Sequence, residues 1–355
     1  MANQFQDSPP PTFLFGAGGA ASWVLQGFQR EGLAVTGFID DAAERIQNVG
    51  TVPVFTSDDP RISKATRETA TVVCVVMNPA VDETKIQRRL LELGWRTVQT
   101  LGAFGRAELV RSGKRCGMLN AASLERHGDE LGRARALLED THSRAVFDGF
   151  VGFCKQMDDT GFPEISRSPY FPPDLPRWSQ RLRMIDCGAF DGDSVRSAKA
   201  HGYTIEACVC FEPDPQNYER LTANMKSDRS IMCLPCGVSG QTQMLKFAAQ
   251  GDTGSAVIAT GSVHVQCVAL DDSMTHFAPN LLKFDIEGSE ESALRGAEVL
   301  IRTFRPGLAV SVYHLPTDIW RIPLMLSEML EGKARFFLRR HSRTIADTVL
   351  YVFPT

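Results

Sequence analysis

Asp186, Asp191 and Asp193 crowd around Gly188 and Gly192 in the stretch MIDCGAFDGDS. A glycine turn between a strand and a helix ordinarily receives phosphate, because backbone N–H groups and the helix N-terminus favour anions. Carboxylates at this density repel one. The turn suits instead a nucleoside that carries positive charge. Asp186 is an acceptor for an ammonium group, Gly188 and Gly192 let backbone approach a ligand, and Glu212, at the end of CVCFE, is placed to take ribose hydroxyls. S-adenosylmethionine, with an adenine, a ribose diol, an ammonium and a sulfonium, meets these demands without phosphate. Ala189, Asp191, Pro213, Gly237 and Asp285 complete the expected cofactor set.

A second constellation follows in KFDIEGSEE and SVYH, which supply Lys283, Asp285, Glu287, Glu290, Tyr313 and His314. Methyl transfer from a sulfonium is an in-line displacement that needs an aligned oxygen and a group to take its proton. His314, Asp285 and Glu287 are the expected catalytic residues, with His314 as general base. A satisfied core histidine remains the other reading of His314. Glu290 and Glu291 read equally well as first-turn helix acids behind a Ser289 cap. A divalent ion is compatible with Asp285 and Glu287, but no metal ligand set is expected. Cys233 and Cys236 have ligand spacing without a second pair and read as strand-end thiols.

The elements that must position these groups are those of an α/β protein. Apolar runs at RMIDCG, EACVCFEPD, NLLKFDIEG and GLAVSVYH read as strands, separated by helical patterns such as GDSVRSAKAHG and PQNYERLTANMK, and the strands ARFFLRRH and TVLYVFP close the chain. Ligands in such sheets sit at the carboxyl ends of the strands, where both constellations fall. SIMCLPCGV reads as one further strand and SEESALRGAEVLIRTF as one helix. An earlier α/β unit opens with TFLFGAG, in which Gly16, Gly18 and Ala20 match the weak form of a dinucleotide fingerprint with Asp40 or Asp41 at the next strand end. The boundaries expected are a tail over 1–11, a Rossmann-like nucleotide or nucleotide-sugar domain over 12–110, a helical and proline-rich connector over 111–182, and the catalytic domain over 183–355.

Composition narrows the partners. The 355 residues carry a net charge of -4, with no basic excess to neutralise a phosphate backbone, so nucleic acid is not an expected partner. No apolar run approaches the ~20 residues of a membrane span and the N-terminus has no leader pattern, so a cytoplasmic location is expected. Nine irregularly spaced cysteines read as free thiols.

In order along the chain, MIDCGAFDGDS, CFEPDPQNYERLTANM, CVALDD, LLKFDIEGSEESALRGA and RPGLAVSVYH resemble the successive motifs of the FkbM family of S-adenosylmethionine-dependent O-methyltransferases. The resemblance spans roughly 183–355. It implies a class I methyltransferase sheet and methyl transfer to a hydroxyl of a sugar, glycan or secondary-metabolite-type acceptor. The first half resembles the N-terminal domains that accompany sugar-modifying enzymes. Two rival readings rest on that half: an NAD(P)-dependent oxidoreductase, which leaves the acidic second turn unexplained, and a nucleotide-sugar-binding module, which makes no use of His314 or Asp285. SPYFPPDLPRW offers Tyr170, Phe171 and Trp178 as apolar cover for a cofactor, or is a plain linker.

Overall fold

The computed structural model describes residues 10–18, 21–76, 81–112, 124, 126–156, 161–248, 256–257, 263–315 and 317–355. The chain separates into two units, Met1–Leu119 with Phe153–Asp159, and Asn120–Gly152 with Thr160–Thr355. Most of the expected tail, residues 1–9, and Ala20 of the first glycine turn lie outside the described residues.

In the first unit, strands β1 (Thr12–Phe15), β2 (Gly37–Ile39), β3 (Asn48–Val49), β4 (Val52–Phe55), β5 (Thr71–Cys74) and β6 (Thr97–Thr100) form one sheet in the order β3-β4-β2-β1-β5-β6. All neighbours are parallel except β3 with β4. Phe13, Phe15, Val72 and Trp95 fill the core on one side, as the apolar runs require. Asp40 closes the glycine turn, accepting from Ala17 N at 2.7 Å and Ala42 N at 2.8 Å. The first acid of the fingerprint therefore braces its own turn, and Asp41 pairs with Arg89.

The second unit is built on β7 (Arg181–Cys187), β8 (Thr204–Phe211), β9 (Ile231–Leu234), β14 (Leu281–Phe284), β15 (Gly307–Ser311), β16 (Ala334–Arg340) and β17 (Thr348–Pro354), in the order β16-β17-β15-β14-β7-β8-β9. The five strands from β15 to β9 run parallel, and β17 is antiparallel to both β15 and β16. This is a mixed α/β fold with a largely parallel, Rossmann-like sheet. Strands buried on both faces read as continuous apolar runs, and Met184, Ile185, Leu281, Leu282, Phe284 and Val310 are nearly inaccessible.

The residues expected to connect the halves cluster largely with this unit. Arg339, only 2% exposed, donates to Asp140 Oδ2 and Asp174 Oδ2 at 2.7 Å each. Trp178 stacks on Phe353 with ring centroids 4.2 Å apart, and its indole donates to Tyr170 O. The proline-rich segment is thereby fixed against the sheet.

Two elements depart from the expected pattern. SIMCLPCGV divides at Pro235, which has no N–H to give a ladder. Its second part becomes β10 (Gly237–Val238) in a separate sheet with β11 (Gln243–Ala248), β12 (Ala256–Val257) and β13 (Val263–Val268), ordered β10-β13-β11-β12. The single helix expected over SEESALRGAEVLIRTF is two, Glu290–Arg295 and Glu298–Phe304. They part near Gly296, whose missing side chain lets Ser239 O approach; a Cβ there would stand 2.3 Å from that oxygen.

Candidate active site

The glycine turn after β7 lies flush against the end of β14. Gly188 has φ +79°, and a Cβ on it would stand 1.9 Å from Asp285 O, so only glycine fits. Gly192, at φ +86°, precedes helix Asp193–Ala200 without a side-chain cap, and its own Cβ would collide with Met225. Phe190 N and Asp214 N donate to the two oxygens of Glu212 at 2.8 and 2.9 Å. Glu212 is 5% exposed, and burial raises its pKa to about 7 against those bonds. Each carboxylate oxygen keeps a further lone pair for a ligand hydroxyl.

Asp186 and Lys283 face each other across the register of β7 and β14. Their side chains are 0% and 3% exposed, with Lys283 Nζ 3.1 Å from Asp186 Oδ1 and donating to Gly188 O at 2.6 Å. Burial raises the Asp186 pKa to about 6, against the pull of Lys283. The Lys283 ammonium is disfavoured by burial but held charged by Asp186 and Asp285. Asp186, expected to meet a ligand's ammonium, faces Lys283 as its counter-charge.

Beyond β14 the chain turns sharply. Glu287 at φ +54° and Gly288 at φ +93° both occupy the left-handed region, which is strained for glutamate. Glu290 holds the turn closed, accepting from Ile286 N at 2.8 Å and Gly288 N at 3.0 Å. It is fully buried, and its Oε1 also lies 2.8 Å from His314 Nδ1. The helix-acid reading therefore holds for Glu291, which pairs with Arg295 and Arg321, and not for Glu290. Ser289 makes no side-chain cap.

His314 stands beyond the end of β15, its side chain 5% exposed, with Nε2 3.6 Å from Asp285 Oδ1 and 3.5 Å from Glu287 Oε2. Those separations are too long for hydrogen bonds. Nε2 and Asp285 Oδ1 are both buried and find no hydrogen-bond partner among the described residues. The other oxygen, Asp285 Oδ2, accepts from the Tyr170 hydroxyl at 2.8 Å. Burial disfavours the imidazolium, but Glu290 and Glu287 outweigh it and hold the His314 pKa well above its usual value. Burial also acts on Asp285, where Lys283 and His314 prevail and lower its pKa, and on Glu287, where burial prevails and raises it.

The sequence model of the FkbM methyltransferase domain matches residues 186–342. This stretch is an FkbM methyltransferase domain. The match begins at Asp186 and takes in Glu212, Asp285, Glu287, Glu290 and His314. A crystal structure of a methyltransferase FkbM from Methylobacillus flagellatus KT resembles this chain with a TM-score of 0.69 over 98% of this chain and 90% of its own, at 20% identity. At that identity the likeness shows a shared fold. A precorrin-6y C5,15-methyltransferase from Geobacter metallireducens aligns over 50% of this chain and 81% of its own at 13% identity, with a TM-score of 0.29. Aeropyrum pernix fibrillarin, in complex with natively bound S-adenosyl-L-methionine, aligns over 51% of this chain and 70% of its own at 12% identity, with a TM-score of 0.30. Comparison with curated proteins gave no match. Among the described residues, no helix is long and apolar enough to cross a membrane.

Within the FkbM domain, Asp186, Gly188, Ala189, Glu212 and Asp285 come together around the ends of β7, β8 and β14. Gly188 N and Ala189 N both donate to Phe211 O at 3.0 Å, which ties the turn to β8. Asp191 pairs with Arg196 at 2.7 Å, and Asp193 Oδ1 accepts from Ser194 N. Gly237 lies in the separate sheet opposite Cys267, with Pro213 Cβ 3.8 Å from the position its own Cβ would take. The Tyr170 hydroxyl is a site group that the sequence did not single out. Tyr170 had only an apolar role in view, and its link to Asp285 spans a separation in sequence that no local pattern signals.

Proposed function

We propose that the second unit is an S-adenosylmethionine-dependent O-methyltransferase acting on a hydroxyl of a small-molecule or glycan acceptor. The observation that carries this reading is the convergence of Asp285, Glu287 and His314 beside the Gly188 turn. The donor set fits the cofactor: the turn offers carboxylates and close backbone instead of a basic phosphate cradle, and buried Glu212 retains acceptor capacity for a diol. When bound, S-adenosylmethionine supplies an electrophilic methyl group on a sulfonium.

The chain's own residues do the rest. Glu212 holds the ribose end, and the turn of Gly188, Ala189, Asp191 and Gly192, with Pro213 and Gly237 nearby, shapes the nucleoside's seat. Asp285, Glu287 and His314 hold the acceptor oxygen and draw off its proton, with Tyr170 and Glu290 fixing the orientation of Asp285 and His314. Positive charge brought beside His314 opposes its imidazolium and favours the neutral form that a proton acceptor needs. The acidic surroundings keep the positive end of a cofactor in place without phosphate contacts.

Incubation of the full chain with methyl-labelled S-adenosylmethionine and a panel of sugars, nucleotide-sugars and phenolic or polyketide-type alcohols tests the reading. A methoxy product identified by NMR is expected from at least one alcohol. Labelling confined to amines, or to carbon, would contradict it.

A further inference from the structure

We propose that Asp285 Oδ1, Glu287 Oε2 and His314 Nε2 form a binding site for a single divalent first-row cation of the Zn2+ kind. Asp285, Glu290 and His314 already form a group with metal-ligating spacing. Glu290 of that group is already engaged with Ile286 N, Gly288 N and His314 Nδ1, so the third ligand we assign is Glu287, which lies outside the group and whose Oε2 stands 3.5 Å from His314 Nε2. The decisive feature is the imidazole. A histidine with a 5% exposed side chain directs an unpartnered Nε2 at two carboxylate oxygens that lie too far away for hydrogen bonds.

The two separations from His314 Nε2 suit a shared cation. Bonds of about 2.1 Å in a tetrahedral site put neighbouring ligand atoms about 3.4 Å apart. Nε2 stands 3.6 Å from Asp285 Oδ1 and 3.5 Å from Glu287 Oε2. The surroundings match what a metal-bound histidine and carboxylate usually have. His314 Nδ1 faces a buried carboxylate, Glu290 Oε1 at 2.8 Å, which fixes the ring and directs its other nitrogen inward. Asp285 uses Oδ2 for the Tyr170 hydroxyl and keeps Oδ1 free. Two carboxylates and one imidazole are a borderline-hard donor set and leave a fourth position open.

Cation binding at these atoms does not require that the chain transfer methyl groups, so failure to bind a cation and failure to transfer methyl are separate results.

The test is titration of the chelator-stripped full chain with Co2+, read by visible absorption, followed by displacement with Zn2+. One Co2+ per chain is expected, with ligand-field bands of four- or five-coordinate cobalt that Zn2+ abolishes. Asp285→Asn and Glu287→Gln should each abolish the tight site. Glu290→Gln, which alters the partner of the histidine and one of the two amide contacts that close the Glu287–Gly288 turn, should weaken it by about 10–100-fold. Absence of Co2+ bands in the parent, bands unchanged in Asp285→Asn and Glu287→Gln, or sulfur-to-cobalt charge transfer showing that thiols hold the ion would each overturn the assignment.

Discussion

Replacing Lys283 with methionine removes the positive charge from the centre of the site while keeping a side chain of similar length and greater apolarity. Lys283 and Asp186 are buried together, 3.1 Å apart, and neither Asp186 oxygen has a hydrogen-bond partner among the described residues. Stripping one partner from a buried pair leaves an uncompensated charge, at a cost of about 3–5 kcal/mol. Asp186 can escape by taking up a proton, and this gives the loss a pH signature. In the parent the Asp186 pKa is about 6, above its ordinary 3.8; in the variant it lies higher still. Between those two folded-state values the variant binds one proton more than the parent, so its stability falls faster as pH rises. The stability difference should therefore be greatest near pH 8 and shrink by about 1.4 kcal/mol per pH unit on lowering the pH, levelling off at about pH 6. Urea unfolding of parent, Lys283→Met, Asp186→Leu and the double variant at several pH values measures it. The double variant should recover most of the loss, because an apolar pair of similar volume replaces the ions. A loss independent of pH, or a double variant as unstable as the sum of the single ones, would refute the pairing.

Three further outcomes follow from the same geometry. Burial raises the Glu212 pKa from 4.5 to about 7, so the folded protein binds more protons than the unfolded chain between those values. Stability from this residue is present below pH 4.5 and falls by about 3 kcal/mol through pH 7; thermal unfolding of Glu212→Gln should show that slope removed. Gly188→Ala places a methyl group 1.9 Å from Asp285 O at a positive φ, so it should cost several kcal/mol in calorimetric unfolding; a loss below ~1 kcal/mol would mean the turn does not abut β14. His314→Ala, Asp285→Asn and Glu287→Gln should bind S-adenosylhomocysteine like the parent yet turn over at least ~100-fold more slowly in single-turnover assays, and a His314→Ala enzyme within a few-fold of the parent would remove that residue from the chemistry.

The central sheet was legible because β7, β8, β14 and β15 are buried on both faces and read as continuous apolar runs. His314, Asp285, Glu287 and Glu212 were legible because they stand where such runs end. The separate sheet of β10 to β13 was not, since its strands are short and Gly237 reads as the continuation of β9. The pairing of Asp186 with Lys283 was not legible, because sequence shows a strand-end acid but not its neighbour: Lys283 meets it only through the register of β14 on β7. Glu290 read equally as a helix-start acid and as a functional group. Its work depends on the left-handed turn at Glu287 and Gly288, which folds it back onto Ile286 N, Gly288 N and His314. In the first unit the acid at the end of β2 completed a weak dinucleotide fingerprint in the sequence, and in the structure it accepts from the backbone N–H of its own glycine turn.

Titration calorimetry of S-adenosylhomocysteine into the full chain near pH 7, where the Glu212 pKa lies, tests the account most directly. Hydroxyl donors arriving at Glu212 favour its carboxylate, so binding should release a proton, seen as a dependence of the measured heat on the ionisation enthalpy of the buffer. One site per chain is predicted, with affinity weakened by about 1.5–3 kcal/mol in Glu212→Ala, the usual worth of hydrogen bonds to a charged group. No binding, binding to the parent without proton release, or an unchanged affinity in a folded Glu212→Ala protein would contradict the placing of the cofactor at the ends of β7 and β8.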